Sequence, residues 1–127
     1  MAWASRPQAL SQNIDDRITN GKIIYNQTCV ACHQAEGQGI PSAFPPLANS
    51  DYLNADVDRA ISNVLNGLTG KITVNGGVYE SIMPQLGLSD EATANVLTYV
   101  YNQWGNNGTE VTPSMVAGVR ASTASAH

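Results

Sequence analysis

The sequence predicts an all-α domain of short helices carrying one small β-hairpin. Three observations lead there. Apolar residues recur at helical spacing in three separate stretches, strand-like character is confined to a few residues around one Asn-Gly pair, and Gly and Pro punctuate the segments between. The chain has 127 residues, enough for one core, and 43% apolar and aromatic residues permit that core to pack.

Residues 1–13 mix Ala, Ser, Gln, one Pro and one Trp without a period, and read as an N-terminal arm or linker. From there Ile14, Ile18, Gly21 and Tyr25 step by 4, 3 and 4, one helical face that runs up to Cys29. Gly37, Gly39, Pro41, Pro45 and Pro46 then demand an ordered loop. Asn54 is a candidate N-cap for a second helix, whose face is Val57, Ile61, Val64, Leu65 and Leu68, with Gly67 suited to a left-handed C-terminal cap. Residues 71–74, the pair Asn75-Gly76 and residues 77–79 form the signature of a hairpin with a tight primed turn. Ser89 caps the last helix, and Asp90 and Glu91 suit the positive end of its dipole. Val96, Tyr99, Val100 and Gln103 share one of its faces, and Gly105 stops it. Residues 106–127 are rich in Gly, Ser, Thr and Ala and read as a polar C-terminal tail, with too few large apolar side chains to offset the entropy of ordering. The domain proper is therefore expected at residues 14–105.

Six basic residues against ten acidic ones give a net charge of −4. With no basic stripe to neutralise phosphates, nucleic acid is excluded as a partner, and so is docking on anionic lipid. No apolar run reaches the length of a membrane span, so no membrane insertion is expected. The opening residues also lack the charged start and apolar stretch of a signal peptide, so nothing in the chain as written directs export. Charged residues are only 13% of the chain, about half the usual fraction, so steering by charge should be weak.

The chemistry is concentrated in Cys29-Val30-Ala31-Cys32-His33. This is the C-x-x-C-H spacing at which two thiols form thioethers to one haem while the adjacent His reaches the iron. Three other readings compete with it. A thioredoxin-like dithiol would open a helix after a strand, whereas this pair closes a helix in a chain with almost no strand. Structural zinc needs four ligands, and beyond these three residues the chain has no thiol or imidazole except that of His127. The bland reading, two small buried residues beside a surface His, leaves their coincidence in one pentapeptide to chance.

A haem held by His33 has a second axial face, for which the chain offers Met1, Met83, Met115, His127 or nothing. Met83 is the best placed: it lies just before the last helix, 50 residues beyond His33, and Pro84 holds the chain extended there. Core filling is the bland alternative for any Met. A ligating His usually donates its other ring N–H to a fixed acceptor, and Pro45 or Pro46 could present one, unless these prolines only make a turn.

With Cys29 to His33, Pro45, Met83-Pro84 and two terminal helices in that order, the chain resembles the class I c-type cytochromes over about residues 18–105. The resemblance implies that fold, three to five short helices around one covalent haem c with a small hairpin. It implies iron ligation by His33 and Met83, a Pro45 carbonyl that accepts the other ring N–H of His33, and a crossing of the terminal helices through Gly21, Tyr25 and Tyr99. More narrowly, residues 44–48, residues 70–76, and Met83-Pro84 followed by residues 96–106 resemble the cytochrome domain fused to some copper nitrite reductases. That likeness implies a periplasmic one-electron carrier, not an enzyme by itself, delivering electrons to the copper centre of a denitrifying nitrite reductase from which this domain would be an excised piece. Ala31, Ile40 and Phe44 would then suit the small uncharged contact at the haem edge. The alternative reading is an electron donor for a terminal oxidase or an alcohol dehydrogenase complex. A haem enzyme or gas-binding domain with a displaceable Met is the remaining class, for which His127 and Glu80 are the only nearby candidates for acid-base work.

Overall fold

The computed structural model describes residues 12–125. Most of the N-terminal arm, with Met1, and the last two residues, with His127, lie outside the described residues. Asn13 opens α1 (Ile14–Thr28) by accepting the Asp16 N–H at 2.8 Å, and Asp15 and Asp16 complement the dipole in its first turn. One further turn, α2 (Val30–His33), follows almost without a break. Ser50 caps α3 (Asp51–Ala55), and Asp56 caps α4 (Val57–Asn66) by accepting the Arg59 N–H at 3.1 Å. Asn54, expected as that cap, instead sits inside α3 and ties it to the C-terminal half by donating to Asn106 Oδ1 at 3.0 Å.

Strands β1 (Ile72–Val74) and β2 (Gly77–Tyr79) pair antiparallel, with Ile72 opposite Tyr79 and Val74 opposite Gly77. Asn75 and Gly76 both have positive φ, 51° and 85°, the requirement of a primed turn. Ser89 caps α5 (Asp90–Tyr101) by accepting the Ala92 N–H at 3.1 Å. The fold is mostly helical with one small sheet.

α1 and α5 cross where Gly21 meets the α5 backbone. A Cβ at Gly21 would lie 2.6 Å from the Asn95 carbonyl carbon and 2.7 Å from Tyr99 Cβ, so only hydrogen fits. Tyr25, Tyr99 and Trp104 pack around this crossing with ring centroids 5.4 to 5.7 Å apart. The Tyr25 hydroxyl donates to the Gln34 carbonyl at 2.6 Å, joining the crossing to the loop after α2. Arg17, only 8% exposed, locks the other end of the crossing: its guanidinium reaches Asn95 Oδ1 at 3.1 Å, Glu110 at 3.2 Å and Glu91 at 3.3 Å. A charge that deep persists because two carboxylates and an amide oxygen pair with it.

The reading of residues 106–127 as a tail is corrected by the structure, which folds Pro113–Ser125 into a sixth helix, α6. Thr112 caps it, accepting the Met115 N–H at 3.3 Å, and Pro113 takes the first helical position, where its missing N–H costs nothing. Val111 and Val116 have no exposed surface, and the Val111 N–H donates to Thr98 Oγ1 at 2.9 Å. α6 packs on α4 and α5. Small apolar residues at helical spacing proved sufficient because α4 and α5 already offer a groove; composition alone undervalued them.

Candidate functional site

The pentapeptide from Cys29 to His33 lies across the junction of α1 and α2. The Cys29 N–H still donates into α1, to the Tyr25 carbonyl at 2.9 Å, and the Cys29 carbonyl accepts the His33 N–H at 3.0 Å. The segment is thus one helical turn, and Cys29, Cys32 and His33, at positions i, i+3 and i+4, fall on one face of it. That face looks onto a crevice with two lobes. Cys29 lines the larger, Cys32 the smaller, and His33 lines both.

His33 is buried, and its Nδ1–H donates to the Pro45 carbonyl at 2.9 Å, so of the two prolines it is Pro45 that fixes the ring. Pro46 lines the larger lobe. Burial lowers the His33 pKa, and the Pro45 hydrogen bond only partly opposes this. The ring is therefore neutral with its proton on Nδ1, leaving the Nε2 lone pair for a metal. Burial, reinforced by Cys32, pushes the Cys29 thiol up to about 11. That is the reverse of the lowered pKa a redox-active dithiol uses.

Met83 lies in an extended segment locked to Leu68 by two backbone hydrogen bonds, Met83 N–H to the Leu68 carbonyl and Leu68 N–H to the Met83 carbonyl, each 2.9 Å. Gly67 makes that pairing possible: its φ is +79°, and a Cβ there would stand 2.6 Å from the Met83 carbonyl oxygen. Met83 lines both lobes, as His33 does. Met115 is part of α6, packed against the core, and does not line the crevice.

Both lobes open to solvent. Leu47, Leu53, Val64, Val96, Leu97 and Val100 wall the larger one. Among the described residues no Asp, Glu, Lys or Arg lines either lobe; the polar groups on them include Ser50, Tyr52 and Asn63. An apolar crevice with two thiols, a neutral imidazole and a thioether on its walls fits a covalent haem with nitrogen and sulfur axial ligands. Zinc does not fit, since no group of three or more His, Cys, Asp or Glu among the described residues could hold a metal ion.

Of the residues suggested for a haem-edge contact, Ala31 is exposed, Ile40 is 41% exposed, and Phe44 is half-buried on the wall of the smaller lobe. Ile82, on the same lobe and 71% exposed, escaped the sequence reading although it precedes Met83 directly. Tyr52 and Asn63 were missed too; helical spacing from Ala60 and Val64, which line the same lobe, marks Asn63, and nothing local marks Tyr52.

The profile of the family described as "Cytochrome c" matches residues 18–104. Cytochrome c-552 of Thermus thermophilus is 42% identical over 92 residues, which are 68% of this chain and 70% of that protein. The fructose dehydrogenase cytochrome subunit of Gluconobacter japonicus is 29% identical over 114 residues, covering 83% of this chain but 23% of the subunit. The cytochrome c subunit of a quinone-type alcohol dehydrogenase of Gluconobacter oxydans is 30% identical over 90 residues, 68% of this chain and 19% of the subunit. This chain therefore spans about a fifth of the dehydrogenase subunits it matches.

Proposed function

The chain belongs to the cytochrome c family, and from that premise we propose that it relays single electrons to or from a catalytic redox subunit, with His33 and Met83 as the two axial ligands. Membership brings a covalently bound haem c, whose iron supplies a reversible one-electron couple. The protein's part is to hold that couple still and dry. The Pro45 carbonyl takes the His33 Nδ1 proton and fixes the ring, and pairing with Leu68 holds the Met83 backbone, so neither ligand has to move when the charge changes. A thioether ligand and apolar walls favour the reduced state and raise the potential. The observation that carries this reading is the crevice lined by both the buried His33 and Met83, with no carboxylate or cationic side chain among the described residues on its walls. A haem enzyme needs a distal acid-base group, and a carrier does not.

For the partner, the dehydrogenase cytochrome subunits among the relatives favour a catalytic dehydrogenase subunit as the electron source, in place of the copper nitrite reductase implied by the narrower resemblance. The nitrite reductase remains the second reading for one reason. Three of the segments that carry that resemblance meet on the smaller lobe, where Phe44, Pro45, Gly70, Ile72, Met83 and Pro84 stand together as a docking edge would, while residues of the fourth, Val96, Leu97 and Val100, line the larger lobe. Either partner implies a periplasmic setting, and among the described residues no helix is long and apolar enough to cross a membrane.

Stopped-flow mixing separates the partners. The oxidised domain should be reduced by a substrate-loaded quinone-type dehydrogenase subunit, with little change in rate as salt is raised. If that subunit leaves it oxidised while the reduced domain rapidly reduces the copper of a nitrite reductase, the second reading takes its place.

A further inference from the structure

α6 lies beyond the residues matched to the family and is hydrogen-bonded at two places, to the end of α4 and to the end of the segment that follows Met83. On the upstream side, Asn66 donates its amide to Thr123 Oγ1 at 3.1 Å. Asn66 is the last residue of α4, next to the Gly67-Leu68 step on which Met83 is paired. On the downstream side, Arg120 donates through Nη2 to the Leu88 carbonyl at 3.0 Å and through Nε to Asp90 Oδ1 at 2.8 Å. Between those anchors Leu86 and Leu88 pack partly buried against the core, while Gln85 and Gly87 are exposed. The segment from Met83 to Ser89 holds no regular element, so its ends determine how far it can swing.

We propose that α6 is a brace that keeps Met83 at the sixth position, with Arg120 and Thr123 as positioning residues that act through Leu88 and Asn66. The proposal rests on Met83 being the axial ligand. It gives the C-terminal helix a role in the electron-transfer site from which it is otherwise separate: Met83 leaves the iron through local opening of its segment, and the brace lowers the population of that open state. The ties are few and Arg120 is half exposed, so the effect is modest but local.

The test uses the matured haem protein with Arg120→Gln, Thr123→Val and the pair, and Arg120→Lys as the conservative variant. Imidazole binding to the ferric form and carbon monoxide binding to the ferrous form count how often the sixth position opens. The urea midpoint reports global stability. The brace predicts about tenfold tighter imidazole binding and faster carbon monoxide uptake in the double variant, partial recovery with Lys, and a urea midpoint that moves by much less in proportion. Unchanged ligand binding, or an increase matched by an equal loss of global stability, overturns it. A sulfur-to-iron charge-transfer band missing from the unaltered protein overturns both the brace and the ligation by Met83, whereas a normal band with unaltered ligand binding in the variants overturns the brace alone.

Discussion

Met83→Ala should abolish the sulfur-to-iron charge-transfer band, lower the reduction potential by on the order of 0.1 V or more within the roughly 0.8 V range that axial ligation spans, and open the ferrous iron to carbon monoxide. The reason is positional. Among the described residues Met83 is the only Met on the crevice, Met115 is committed to the packing of α6, and the two lobes offer no second imidazole to take its place. The backbone pairing with Leu68 does not involve the side chain, so the variant should keep its fold while losing the ligand. Optical spectra and a potentiometric titration check this. An unchanged spectrum would place the sixth ligand elsewhere.

Gly21→Val should destabilise the protein by about 3 kcal/mol or more, the upper part of the range for forcing volume into a packed site. Even the first added carbon collides with the carbonyl group of Asn95, which is backbone in the middle of α5 and cannot swing aside as a side-chain tip would. Separating the helices also strains the pairing of buried Arg17 with Asn95 and the ring contacts of Tyr25 with Tyr99. Gly21→Ala already meets the same atoms and should cost most of this. Urea unfolding followed by circular dichroism measures it, and a loss below about 0.5 kcal/mol would show that the crossing has room to relax.

The parts of this molecule written in local pattern were legible in its sequence. The Cys29 to His33 spacing, the Asn75-Gly76 turn and the Ser89 cap each depend on a few neighbouring residues, and the described structure places a helical turn, a hairpin and a helix start at them. What escaped depends on pairing at long range. Arg17 looks like one more surface charge until Glu91, Asn95 and Glu110 are brought around it. Trp104, past the last helical turn at φ 52°, joins Tyr25 and Tyr99 only through the tertiary fold. α3 has five residues, too few to show a period, and α6 has small side chains whose burial depends on the groove between α4 and α5. The crevice shows the same division: the order of Cys29, Cys32, His33 and Met83 along the chain could be read in sequence, whereas the pairing of Leu68 with Met83 and the placement of Tyr52 and Asn63 could not.

The central claim, a closed iron that only exchanges electrons, is tested most directly by spectroelectrochemical titration of the matured domain with and without carbon monoxide. A closed iron gives a single reversible one-electron wave, a sulfur-to-iron band in the oxidised form that disappears on reduction, and the same midpoint under carbon monoxide. A midpoint that rises under carbon monoxide, together with a ferrous spectrum that changes on its addition, would mean that the sixth position is open and would contradict it.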